Sequence, residues 1–136
     1  MHKQPAIAVD CVVFGSGGRL LLIQRKNAPF KGKYALPGGF VEFGETAEDA
    51  ARRELREETG LKVGQLRLVG VYSDPKRDPR GHTISVAYVA VAPRATNVRG
   101  GDDAATAEFV SNWKRLKLAF DHNKIVRDAV AISGVA

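Results

Sequence analysis

A layered α/β fold, with helices packed on a mixed sheet, is predicted by the alternation of two kinds of pattern along the chain. Apolar, β-branched runs at residues 6–14, 19–26 and 82–92 read as strands. Stretches rich in helix formers at residues 47–59 and 122–133 read as helices, each preceded by strands. No internal repeat interrupts this order.

The first strand is "AIAVDCVVF" (6–14), "GSGG" (15–18) is a tight turn, and "RLLLIQRK" (19–26) is a second strand that would complete a hairpin. A polar loop, "NAPFKGKY", leads into "ALPGGFVE". Thr46 has the chemistry of a helix N-cap, with Asp49 three residues on, and Gly60 can take the left-handed conformation that ends a helix. Residues 61–74 read as one or two strands, and 75–81 as a loop braced by two prolines. After the strand at 82–92 comes a polar loop (93–106) and a short strand, "AEFVSNW" (107–113), running into a turn. Asp121 is placed to cap the last helix, where Ile125, Ala129 and Ile132 fall near helical spacing.

Composition narrows the function. A chain of 136 residues is expected to form one domain, burying about two-thirds of its unfolded surface. The single cysteine, Cys11, excludes a disulfide framework and a thiolate metal site. No apolar run approaches the roughly 20 residues that span a membrane, and no leader pattern stands at the N-terminus, so a soluble cytoplasmic protein is expected. A formal net charge of +6 favours polyanionic partners. The basic residues are scattered, however, over 75–80, 113–117 and the arginines at 52, 53 and 56, with no interleaved aromatic stripe. A nucleotide is therefore expected before a nucleic acid.

Against this basic background, residues 37–61 concentrate acid. Glu54, Glu57 and Glu58 stand at i, i+3 and i+4, so a helix brings them to one face. Like charges so placed repel by a few tenths of a kcal/mol per pair. Pairs such as Asp49–Arg53, Glu48–Arg52 and Arg53–Glu57 would offset that, as on any salt-bridged surface helix. What precedes the helix points elsewhere. "PGGFVEFGE" supplies adjacent glycines that let backbone approach other groups closely. Mg²⁺ takes hard oxygen ligands, usually one or two carboxylates with water and substrate phosphates. The acids fit a cage completed by a diphosphate.

Gly39, five residues, Glu45, seven residues, Arg53-Glu54-Leu55, one residue, Glu57-Glu58, one residue, Gly60-Leu61 reproduces the Nudix box at each of its defined positions. On this pattern, and on the surrounding strand order and length, the chain is identified as a member of the Nudix hydrolase family. The resemblance implies an α/β/α sandwich with a mixed β-sheet and a catalytic helix after a Gly-Gly loop. It implies hydrolysis of a nucleoside diphosphate linked to another group, with Mg²⁺ or Mn²⁺. Carried over by position, Glu54 and Glu58 would be the principal metal ligands, Glu57 a further or water-mediated one, and the carbonyl of Gly38 or Gly39 another. Arg53 would pair with Glu45 and hold the carboxylates. The base is Glu54 in some members and a downstream loop acid in others, for which Asp102, Asp103 and Glu108 are the candidates.

The segment 70–85, "GVYSDPKRDPRGHTIS", resembles the ADP-ribose pyrophosphatase subgroup, with Pro75 lying 14 residues past Leu61. ADP-ribose would yield AMP and ribose 5-phosphate. Arg25, Arg80 and His82 are candidate contacts for phosphate or ribose, and Phe30, Tyr34 and Phe43 for adenine. The rivals are a nucleoside triphosphate pyrophosphohydrolase that removes oxidised nucleotides, a nucleotide-sensing module without catalysis, and an RNA end-processing enzyme. Related domains often pair, so a homodimer is a further possibility.

Overall fold

Alternate residues of the first strand, β1 (Ala6–Phe14), belong to two different cores. Val9, Cys11 and Val13 cluster with Ala50, Ala51 and Leu55 of α1 (Ala47–Thr59). Val12 and Phe14 cluster with Ile125, Val126 and Ala129 of α2 (His122–Ser133). A strand's side chains alternate between faces, so this period of two sets one helix on each side of the sheet. The three-layer sandwich is present as expected. It is seen in a computed structural model that describes residues 3–93, 96–98, 100–101 and 104–135.

The described residues form a seven-stranded mixed sheet. β1 runs parallel to β6 (Thr83–Val91) in unbroken register, from Ala6 opposite Thr83 to Phe14 opposite Val91. β5 (Arg67–Tyr72) pairs antiparallel with β6. The other edge of β1 is shared: β4 (Gly38–Phe40) takes Ala8 to Asp10, and β2 (Leu20–Arg25) meets it only at Phe14 and Leu20. β2 turns away to pair with β7 (Ala104–Val110) along its length and with the two-residue β3 (Tyr34–Ala35) near its end.

Three local expectations change. The hairpin of residues 6–14 and 19–26 shrinks to a single register pair, because the glycine strand β4 occupies the edge of β1 that β2 would need. The strand expected from residue 107 begins at Ala104. Asp121 stands at the α2 N-cap without capping it, since Arg77 engages both of its oxygens. The main helix matches at both ends. Thr46 Oγ1 accepts from the Asp49 N–H at 3.1 Å, a cap that contributes about 1 kcal/mol, and Gly60 ends the helix at φ 74°. Leu55 is buried on the inner face, which contributes roughly 1.5–3 kcal/mol.

Candidate active site

The register of α1 divides its acids between solvent and interior. Glu58 is 3% exposed, and its Oε1 accepts the Gly38 N–H at 2.8 Å, fastening the helix to β4. Glu54 lies beside Gly39 so closely that a Cβ there would stand 2.4 Å from its Cδ. Only a residue without a side chain leaves room for that carboxylate. Gly38 is tighter still, with an added Cβ 2.1 Å from the Val9 carbonyl oxygen. The two glycines thus let β4 pass between β1 and the helix carboxylates.

Arg53 organises the acids around it. Its Nε and Nη2 grip the two oxygens of Glu45 at 2.7 and 3.0 Å, and Nη2 also donates to the Phe40 carbonyl at 2.9 Å. Nη1 donates to Glu54 at 2.8 Å and Glu57 at 3.1 Å. These bonds hold Glu45 down to about 2, whereas burial raises Glu54 above the ordinary carboxylate range in spite of Arg53. One guanidinium therefore faces two carboxylates of opposite tendency.

Glu54 and Glu58 face a cavity of about 380 Å³. Its lining also includes Arg25, Arg80, Phe40 and Phe120, with the buried Asp10 and His122. Arg80 is held by Asp78, which accepts from Nε at 3.1 Å, Nη2 at 2.8 Å and the Arg80 backbone N–H at 2.9 Å. Its guanidinium stands 5.5 Å from the Phe40 ring centre and 5.7 Å from that of Phe120. Arg25 stacks on Phe120 from 5.1 Å and donates Nε to the Pro29 carbonyl at 2.7 Å. Burial would raise Asp78, but the hydrogen bonds from Arg80 and the positive charges of Arg80 and Arg77 outweigh it and hold it below the ordinary range.

The sequence candidates divide around this cavity. Gly38, Gly39, Arg53, Glu54, Glu58, Arg25 and Arg80 line it. Glu45 and Glu57 sit behind or beside it, held by Arg53. Glu108 is on β7, where the Tyr34 hydroxyl donates to its carboxylate, and neither residue reaches the cavity lining. His82 is exposed and engages the Ser73 carbonyl at 3.1 Å. Phe30 packs edge-on against Phe120 from outside the lining, and Phe43 is fully exposed. Asp102 and Asp103 lie outside the described residues. Sequence reasoning missed Asp10, Arg77, Asp78, Phe120 and His122. For Asp10 a signal existed: a lone carboxylate inside an apolar strand must find a buried partner.

The family description "NUDIX domain" matches residues 4–129. The chain is 51% identical over 128 residues to an ADP-ribose pyrophosphatase of Methanocaldococcus jannaschii, covering 94% of this chain and 75% of that protein. It is 36% identical to an ADPR-responsive transcriptional repressor of Acinetobacter baylyi, covering 96% of this chain but only 55% of that protein. The NUDIX domain of Shewanella oneidensis NrtR, solved with ADP ribose, superposes with a TM-score of 0.89 at 26% identity, covering 97% of this chain and 90% of that one.

Proposed function

The chain belongs to the NUDIX family, and we propose that it hydrolyses ADP-ribose to AMP and ribose 5-phosphate with Mg²⁺ or Mn²⁺. The observation that carries this reading is the mixed charge of one cavity, whose lining includes Glu54 and Glu58 together with Arg25 and Arg80. Acids suit a cation, guanidiniums suit phosphate oxygens, and a nucleoside diphosphate joined to a sugar needs both. The similarity to an ADP-ribose pyrophosphatase supports the substrate.

The donor set fits a hard divalent ion. Glu54 and Glu58 are its proposed ligands, with the Gly38 or Gly39 carbonyl and the half-exposed Glu57 as further contacts. Among the described residues no three His, Cys, Asp or Glu side chains already close on a common point. Two carboxylates are nevertheless the usual protein share for Mg²⁺, the rest coming from water and substrate phosphate. When bound, the ion neutralises diphosphate charge and lowers the pKa of a coordinated water.

The protein's own part follows from placement. Arg25 and Arg80 bind diphosphate oxygens, and the rings of Phe40 and Phe120 flank the nucleoside or ribose. Glu54, whose carboxylate lines the cavity, takes the proton from the attacking water. A bond forms between that water oxygen and one phosphorus while the bridging P–O bond breaks, its electron pair leaving with the other phosphate. Glu108 is disfavoured as the base by its engagement with Tyr34.

The test is purified protein with ADP-ribose and Mg²⁺, separating the products. Equal AMP and ribose 5-phosphate, abolished by a chelator, are expected. A tenfold or greater preference for a damaged triphosphate would overturn the substrate. Tight binding without cleavage would make the chain a sensor.

A further inference from the structure

Behind the glycine loop lies a buried ring of polar side chains to which the reaction above gives no part. His122, the first residue of α2 and 3% exposed, accepts the Leu36 backbone N–H on Nδ1 at 3.0 Å. A backbone N–H can only donate, so Nδ1 is the acceptor and the ring proton stands on Nε2. That Nε2 faces Asp10 Oδ1 at 3.2 Å. The other Asp10 oxygen accepts from the Ser85 hydroxyl and lies 3.5 Å from Arg77 Nη2. Arg77 closes the ring by forking onto Asp121, the neighbour of His122, at 2.7 and 2.9 Å.

The ring meets the glycine loop at successive residues. Next to Asp10, the Cys11 N–H donates to the Pro37 carbonyl at 2.8 Å. A Cβ on Gly38 would stand 2.8 Å from Asp10 Oδ1. The Ala119 N–H donates to the Tyr34 carbonyl at 2.8 Å. Tyr34 and Leu36, two residues apart, present their backbone groups on the same edge of an extended chain. The segment entering α2 therefore takes both. Two residues beyond Leu36 is Gly38, whose N–H holds Glu58, and then Gly39, against which Glu54 rests.

We propose that His122 is a positioning residue: its Nδ1, oriented by the Nε2–H···Asp10 contact, sets the path of residues 36–39 and through them the placement of Glu58 and Glu54. This role rests on the hydrolase reading above. It separates His122 from a residue that merely fills the core, because a filler's shape would matter and its acceptor nitrogen would not.

Four measurements test it. In the wild-type protein, long-range ¹H–¹⁵N spectra of the imidazole are expected to show protonated Nε2 and unprotonated Nδ1; the reverse tautomer overturns the proposal without any variant. His122→Phe keeps a ring but no acceptor, and His122→Asn keeps an oxygen acceptor near the place of Nδ1. In the Phe variant, Leu36 and Gly38 amides are expected to exchange at least about tenfold faster. Mn²⁺ binding without substrate, followed by water proton relaxation, weakens by about tenfold or more. Its kcat on ADP-ribose falls comparably, with KM moving by less than about threefold. The Asn variant recovers most of each loss. Wild-type amide exchange and Mn²⁺ binding in the Phe variant, or no recovery in the Asn variant, would overturn the role. A wild-type protein that binds Mn²⁺ yet leaves ADP-ribose intact would sink the hydrolase reading instead, while the tautomer and amide exchange would still judge His122.

Discussion

Arg53 and Glu45 form a two-pronged pair, Nε to Oε2 at 2.7 Å and Nη2 to Oε1 at 3.0 Å, and the remaining Arg53 nitrogen is thereby aimed at Glu54 and Glu57. Glu45 also accepts the Glu42 N–H at 3.0 Å, so the loop before α1 is fastened to the middle of the helix. Replacing Glu45 by Gln is expected to leave the fold intact and to lower turnover by roughly 10- to 100-fold, as loss of a partner that orients metal ligands does. Steady-state rates with ADP-ribose and a circular dichroism spectrum check this.

The same pair makes stability depend on acid in one direction. Glu45 titrates at about 2 in the folded protein, against 4.5 ordinarily. A carboxylate with a depressed folded pKa stabilises fully above its unfolded value and loses that contribution as pH falls through the folded value. The melting-temperature gap between wild type and Glu45→Gln should hold steady at neutral pH and narrow between 4.5 and about 2. Widening of the gap in acid would contradict the assignment.

Gly38→Ala and Gly39→Ala should fail differently, although the residues are neighbours. At Gly39 the obstacle is the end of the Glu54 side chain, which can swing aside. Stability should barely change, while turnover falls by about a hundredfold or more through the displaced Glu54. At Gly38 the obstacle is the Val9 carbonyl in the central strand, which cannot move cheaply. Overpacking of this kind costs about 1–3 kcal/mol, and more where backbone must shift. Denaturant midpoints beside ADP-ribose turnover distinguish the two outcomes.

Glu58→Gln tests the proposed cation site with little disturbance of the fold. The amide oxygen of Gln still accepts the Gly38 N–H, so the helix stays fastened to β4. Turnover is expected to fall by about a hundredfold or more, with weaker Mn²⁺ binding; near-normal rates would remove Glu58 from the ligand set.

Arg80→Lys examines the phosphate-binding role proposed for the cavity's arginines. Lysine keeps the charge but not the planar fork that Asp78 holds between two aromatic rings. KM for ADP-ribose should rise about tenfold with kcat changing less, a pattern that marks ground-state binding.

Local chemistry made half of this site legible. The limits of α1 follow from a threonine, a glycine and an unbroken run of helix formers, and its acidic face from spacing alone. The glycines at 38 and 39 announce close approach, although what they approach depends on β1 and on the fold. The other half depends on residues far apart in the chain. Asp10, Asp78 and Phe120 share a cavity only because β1, the loop after β5 and the entry to α2 converge. Asp121 has the composition of a cap, yet Arg77 claims it, and no local pattern foretells that preference. Tyr34 and Glu108 are unrelated in the sequence yet prove to be partners across β2, where strand register sets them opposite Gln24 and Leu22.

The parallel junction of β1 with β6 bears on how the polypeptide assembles during synthesis. Ala6 pairs with Thr83 and Phe14 with Val91, so this seam stays open until translation has passed the ninth decade of the chain. Pairings between such distant segments close slowly, because a long loop must lose its freedom before any contact rewards it. The helix bearing the acids emerges well before that seam can zip, and Ser85, the hydroxyl that Asp10 requires, arrives with the late strand. Until then an emerging β1 carries a carboxylate with its eventual hydroxyl partner still inside the ribosome.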